Sequence, residues 1–154
     1  LTKGKYALVD DNQFEWLSKF KWHANGEKEN EYACRSIQKN GKRTIALMHK
    51  VLLWCPKEYE IDHRNGNRLD NRLKNLRIVT PLQNHANKRK VSKNFSSHFK
   101  GVYLHQNKSW VAEVMKDRKK YYLGLFKNEK DAAKAYNEKA KELFGQYAHL
   151  NTIN

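Results

Sequence analysis

The sequence predicts an α+β chain of small modules: a β-rich N-terminal extension, a strand–loop–strand–helix unit, and a three-stranded antiparallel sheet with one helix. Three observations carry that expectation. Between Ile61 and His85, two short apolar runs bracket an Asn-rich loop and lead into a helix-start signature. Beyond Phe99, three strand-like segments are separated by short polar turns and followed by a helical apolar period. The third observation is size: 154 residues allow one domain or two small ones, and small modules cannot share one large core.

Taken in order, Tyr6-Ala7-Leu8-Val9 reads as a strand and Asn12 to Phe20 as a short helix beginning near an Asx cap. Tyr32 to Gln38 and Arg43 to Leu47 flank Asn40-Gly41, a dipeptide suited to the two positive-φ centres of a tight hairpin turn. Val51 to Trp54 reads as a short buried helix stopped by Pro56. Ile61 to His63 opens the next strand, and Leu76 to Val79 returns it. Thr80-Pro81-Leu82-Gln83 then combines a capping residue, proline at the first helical position and Gln three residues after the cap. Asn84 therefore falls in the first turns of a helix packed on this hairpin.

Lys88 to Asn94 has no apolar period and a single sign of charge, and reads as a basic linker positioned to lie along phosphates. Gly101 to His105, Ser109 to Lys116 and Lys119 to Phe126 follow as strands, joined by Gln106-Asn107-Lys108 and Asp117-Arg118. In the second of them Trp110, Ala112 and Val114 alternate with Val111, Glu113 and Met115. Asn128 with Asp131 then marks a helix start; Ala132, Ala133, Ala135, Tyr136, Ala140, Leu143 and Phe144 form its apolar face, and Gly145 its C-terminal cap. The modules are expected over residues 1–87, a linker over 88–98, and 99–154.

A formal net charge of +15 points to a polyanionic partner bound with strong salt dependence. The charge is concentrated: residues 61–100 hold ten Lys/Arg against two Asp/Glu, whereas residues 1–60 hold eleven against eight. Four Trp and 12% aromatic content argue against disorder. The two cysteines, Cys34 and Cys55, form neither a CxxC pair nor a Cys/His cluster, which disfavours zinc and secretion and suggests a reducing cytoplasm. No apolar run reaches bilayer length, so no membrane role is expected.

Cutting a phosphodiester at neutral pH needs a base, a cation at the phosphate, and a scaffold that aligns them. Asp62 and Asn84 offer the hard oxygen donors that Mg²⁺ or Mn²⁺ prefers, with phosphate oxygens and water completing an octahedron. His63 adjoins Asp62 on a strand, so the two side chains leave opposite sides of the backbone. One can hold metal while the other serves as general base.

Asp62-His63, Gly66-Asn67-Arg68-Leu69-Asp70-Asn71, Asn75-Leu76-Arg77 and Asn84 resemble the HNH endonuclease family of phage and intron-encoded homing enzymes, over about residues 43–90. The resemblance implies a ββα-metal core over about residues 60–89, with His63 as general base and Asp62 and Asn84 holding one divalent cation. It also implies that Asn75 braces the loop by hydrogen bonds across it. The third motif position is Asn84 rather than histidine, which is similar to the H-N-N subgroup that often nicks one strand. His85, next to it, is the rival for that position.

Phe99 to Tyr103, Trp110 to Val114, Tyr122 to Phe126, Asp131 to Tyr136 and Ala148 to Asn151 resemble, in order, the Apetala-two/ethylene-response-factor DNA-binding domain. That implies a sheet docked in the major groove of double-stranded DNA, with Lys100, Tyr103, His105, Glu113, Met115, Lys120 and Tyr122 as contacts. Trp110, Ala112, Val114 and Leu123 would face the helix instead. Tyr103, His105 and Met115 stand where the plant family carries arginine, so its recognition sequence is not expected to transfer.

The expected function is a metal-dependent, site-selective endonuclease on duplex DNA, a homing enzyme that acts as a monomer and nicks one strand in a bacterial or phage-infected cytoplasm. A sequence-specific DNA-binding regulator with an inactive nuclease core is the alternative, and an RNA-directed nuclease a third.

Overall fold

The computed structural model describes residues 1–2, 4–27, 30–88, 96–106 and 108–154. The chain divides into two compact units, residues 1–84 and 85–154. The first holds helix α1 (Asp11–Ser18), strands β1 (His23–Asn25), β2 (Tyr32–Lys39) and β3 (Lys42–Leu47), helix α2 (Met48–Leu52), and strands β4 (Glu60–His63) and β5 (Leu76–Val79). Helix α3 (Pro81–Asn87) runs through the division. The second holds β6 (Val102–Leu104), β7 (Trp110–Lys116), β8 (Lys119–Phe126) and helix α4 (Glu129–Phe144). No helix among the described residues is long and apolar enough to cross a membrane.

In the first unit, β1-β2-β3 form an antiparallel sheet and β4-β5 a separate antiparallel pair. Asn40 (φ +51°) and Gly41 (φ +73°) occupy the left-handed centres of the β2–β3 turn, as their dipeptide predicts. β1 was not anticipated, because three residues carry no readable alternation; it forms by pairing Ala24 with Ala33 beside buried Cys34.

Two elements of the first unit differ from expectation. Tyr6–Val9 is not a strand: only Leu8 pairs, giving its N–H to the Leu69 carbonyl (2.9 Å) and accepting from the Asn71 N–H (2.7 Å), while Tyr6 is 81% exposed. Its pairing partner is a loop, which offers one rung and no ladder. The Val51–Trp54 helix is displaced to Met48–Leu52, with Leu53 already extended and Trp54 79% exposed. Burial falls on Met48 and His49 where α2 meets β2 and β3. Helix α1 is present, but the Asp10 carboxylate before it accepts from the Leu73 N–H (2.7 Å) instead of capping it.

In the second unit β6-β7-β8 form an antiparallel sheet backed by α4. Asp117 (φ +51°) and Arg118 (φ +63°) make the β7–β8 turn without glycine. Val102, Ala112, Ala132 and Ala133 pack with Phe99, Trp110 and Leu123, and Val114, Tyr136 and Ala140 with Leu143 and Phe144. The fully buried alanines bring the α4 backbone close to the sheet. Asn128 sits at the N-cap position of α4, yet its carboxamide binds the Asp131 carboxylate (3.1 Å) and no backbone group. Asn151 clamps the chain end: its carboxamide exchanges hydrogen bonds with the Lys100 backbone (2.7 and 3.0 Å), and its own backbone with Asn137 (2.7 and 2.9 Å).

Residues 89–95, most of the expected linker, and Asn107 lie outside the described residues. Ser96 and Ser97 are bonded into the second unit, their hydroxyls accepting from Leu104 N–H (2.8 Å) and Phe99 N–H (3.0 Å).

Gly101 has φ +70°, and a Cβ there would lie 2.1 Å from the Tyr136 ring and 2.5 Å from the Glu113 carbonyl. Both the backbone angle and a buried ring oppose any side chain. Gly101→Ala is expected to destabilise the second unit by about 3 kcal/mol, read as a lowered urea midpoint.

Candidate functional site

The β4–β5 register sets Asp62 against Arg77 and His63 against Leu76. Both side chains at the end of β4 are buried. Arg77 donates through Nε (2.8 Å) and Nη2 (2.7 Å) to Oδ2 of Asp62, the two side chains being 8% and 7% exposed. Alternation sends His63 the other way. There its ring meets His49 of α2 edge-on (centroids 5.1 Å, 84°) and Tyr32 of β2 (6.2 Å, 59°).

Burial pushes the His63 imidazole below its ordinary value, helped by Arg68 and opposed by the Asn71 side chain, Asp62 and Asp70. His49 is pushed down to about 3, first by burial, then by His63, Lys50 and Arg68. Its Nδ1 finds no hydrogen-bond partner among the described residues. Both imidazoles are therefore neutral at physiological pH, a state in which one ring nitrogen keeps a lone pair.

The loop between the strands is a set of side-chain-closed turns. Asn65 and Asn67 carboxamides accept from Asn67 N–H (2.8 Å) and Leu69 N–H (3.1 Å), the Asx geometry such residues favour. Asn75 spans it: Oδ1 accepts from Asn65 N–H (3.1 Å) and Nδ2 donates to the Asp70 carbonyl (2.7 Å). Fully buried Asp70 accepts from Arg72 Nε (2.8 Å), Arg72 Nη2 (2.7 Å) and Asn65 Nδ2 (2.9 Å).

Arg72, foremost, and Asn65 hold the Asp70 carboxyl below the usual range. A depressed folded value stabilises the fold above the unfolded carboxylate value, near 3.9, and the contribution disappears as pH falls through the lower folded value. Asp70→Asn is expected to cost about 2 kcal/mol at pH 7. Urea unfolding at pH 7 and again well below pH 3.9 checks this, since the gap between parent and variant should narrow in acid.

Helix α3 starts as its residues predict. Thr80 N–H donates to Gln83 Oε1 (2.9 Å) and Gln83 N–H to Thr80 Oγ1 (3.3 Å), a reciprocal capping box with Pro81 at the first helical position. The helix brings the half-buried Asn84 carboxamide to Glu60, to whose carboxylate Nδ2 donates. Glu60 and Asp62 share one face of β4. His85 is exposed.

Among the described residues, no three His, Cys, Asp or Glu side chains converge as a closed metal cage. What they offer instead is an open set of oxygen donors. A small hard cation that keeps several waters and takes the rest from substrate phosphates fits such a set. Glu60 is new to the site; Asn71 and Arg77 stand in the HNH-like motif without an assigned role, and His49 alone reads as a core histidine or a phosphate contact. Cross-strand position opposite Asp62 is the signal for Arg77, and the i−2 position on the strand is the signal for Glu60.

On the second unit's sheet, the Tyr103 hydroxyl donates to Glu113 (3.1 Å), which also pairs with Lys120 (3.2 Å). Met115 (opposite Lys120) and Tyr122 (opposite Glu113) are exposed on the face away from the α4 core. His105 lies just past β6 and is exposed. Lys100 departs from the expectation: it precedes β6, and its ammonium turns to the Ala86 (2.7 Å) and Lys88 (2.8 Å) carbonyls, with burial lowering it to about 8. Its carbon stem is long enough to fold inward, which strand alternation alone does not reveal.

A family profile described as HNH endonuclease matches residues 54–86. An uncharacterized HNH endonuclease of Acanthamoeba polyphaga mimivirus is 31% identical over 154 residues, covering 99% of this chain and 78% of that protein. Dehydration-responsive element-binding protein 2D of Arabidopsis thaliana is 38% identical over 60 residues, covering 38% of this chain and 29% of that protein. No solved structure matches the chain.

Proposed function

The chain belongs to the HNH endonuclease family and is a hydrolase that cleaves DNA, and from that premise we propose a divalent-metal-dependent, site-selective homing endonuclease that nicks duplex DNA as a monomer. Its core is then of the ββα-metal type, built from β4, β5 and α3. Asp62 and Asn84 hold one Mg²⁺ or Mn²⁺, which when bound supplies stabilisation of charge on the phosphate and the departing oxygen. The neutral His63 imidazole takes a proton from the attacking water. Asn75 keeps the loop closed so that His63 and Asp62 hold their positions. Arg77 fixes the Asp62 carboxylate through one oxygen.

The observation that carries this reading is the pairing of an Arg-anchored Asp62 with a buried, neutral His63 at the end of one strand. A single site in a monomer faces one strand at a time, which favours nicking. The sheet face bearing Tyr103, Glu113, Met115, Lys120 and Tyr122, together with exposed His105, supplies base contacts in the major groove; partial similarity to the plant dehydration-responsive element-binding protein supports that assignment. Lys100 contributes through the carbonyls it binds rather than as a base reader. The two free cysteines suit a reducing cytoplasm.

Supercoiled plasmid incubated with and without Mg²⁺ tests the proposal. Open-circular product that needs the metal is the expected outcome. Salt-sensitive binding with no scission in any divalent metal would favour a DNA-binding regulator with an inactive core.

A further inference from the structure

A carboxamide is a two-ended group: its oxygen accepts or ligates, and its nitrogen only donates. An asparagine that holds a hard cation must therefore present one end and hide the other. In this chain the hidden end has a partner. Asn84 Nδ2 donates to the carboxylate of Glu60, an acceptor-only group when ionised. Glu60 stands two residues before Asp62 on β4, on the same strand face. It is exposed, so neither core packing nor a buried ion pair accounts for its place.

We propose that Glu60 is the positioning residue of the metal site: its carboxylate holds the Asn84 nitrogen, so that Asn84 presents Oδ1 to the divalent cation. This rests on the reading of Asn84 as a metal ligand. The ligand then arrives already oriented, with the flipped, nitrogen-first state suppressed. Partners that orient metal ligands in this way typically change metal affinity by about 10–100-fold when removed. Glutamine at position 60 loses the selectivity, because a second carboxamide can donate as readily as it accepts and both orientations of Asn84 become compatible with it.

A four-variant comparison isolates this role. Mn²⁺ is titrated into the full chain and the free-ion EPR signal read for the parent, Glu60→Gln, Asn84→Asp and the double variant. Glu60→Gln is expected to weaken Mn²⁺ binding roughly tenfold. In the Asn84→Asp background both ends of residue 84 are oxygen, so nothing needs orienting and Glu60→Gln should cause no loss.

An equal loss in both backgrounds would overturn the proposal and make Glu60 a ligand or a purely electrostatic contributor. No loss in either background would overturn it as well. Asn84→Ala separates this from the underlying reading. If Asn84→Ala leaves Mn²⁺ affinity unchanged, Asn84 is not a ligand. If Asn84→Ala weakens it and Glu60→Gln does not, only the positioning role fails. Circular dichroism melts of each variant verify that the fold is intact.

Discussion

His63→Ala is expected to lower the rate of strand scission by about 10²–10⁴-fold while leaving affinity for duplex DNA nearly unchanged. The separation of the two effects follows from the state of the ring. His63 is buried and its imidazole is held below the ordinary value, so at neutral pH it is not one of the cations that attract phosphate. Removing it deletes a base, not a charge. The slope of log affinity against log salt, which counts neutralised phosphates, should therefore be unaltered. A gel-shift titration at several salt concentrations, run beside single-turnover plasmid cleavage, reads both quantities. Cleavage at the parent rate would mean that another group takes the proton. His49, whose ring lies against His63, is the next to test.

Asp62→Ala is expected to abolish measurable cleavage and to destabilise the fold by on the order of 3 kcal/mol, because it removes the carboxylate that neutralises a buried guanidinium. One variant alone cannot distinguish a lost ligand from a loosened fold. Asp62→Leu combined with Arg77→Met does. Replacing both members of a buried ion pair by apolar side chains is often neutral or stabilising, so urea unfolding should return most of the lost stability. Cleavage should stay absent, since leucine supplies no oxygen to a cation. A stable double variant that cuts DNA would remove Asp62 from the site.

Much of this was legible in the residues wherever a local rule decides. Asn40-Gly41 set the hairpin because both centres of its turn need positive φ. Thr80 and Gln83 announced the start of α3 because each satisfies the other's exposed N–H. The alternation in β7 separates the two faces of the second sheet, and the resemblance implies which of them meets the alanine-rich face of α4. Tertiary pairing hid the rest. Tyr6–Val9 has strand-like residues but meets a loop, and α2 begins where β3 ends, not where its apolar run is densest. In the same way, Arg77 and Glu60 matter through register with Asp62 and contact with Asn84, and the fold gives each its partner. The resemblance implies Lys100 as a DNA contact, yet it lies in the turn before β6 and its ammonium bends to carbonyls.

Under the proposed assignment, strong positive charge and a sparse protein ligand set belong together. Asp62 is largely neutralised by Arg77, and Asn84 is uncharged. With Asp62 and Asn84 as its protein ligands, as proposed, a divalent cation would take further ligands from DNA phosphates. A chain with ten Lys/Arg in residues 61–100 brings those phosphates to the site.

Crystals of the full chain on duplex DNA, grown with Mn²⁺ and measured at the manganese edge, test the central claim most directly. We expect one anomalous peak at bonding distance, about 2.1 Å, from an Asp62 oxygen and from Asn84 Oδ1, with a DNA phosphate oxygen also bound. A manganese ion held by other side chains, with Asp62 still paired with Arg77 and away from the metal, would contradict the account.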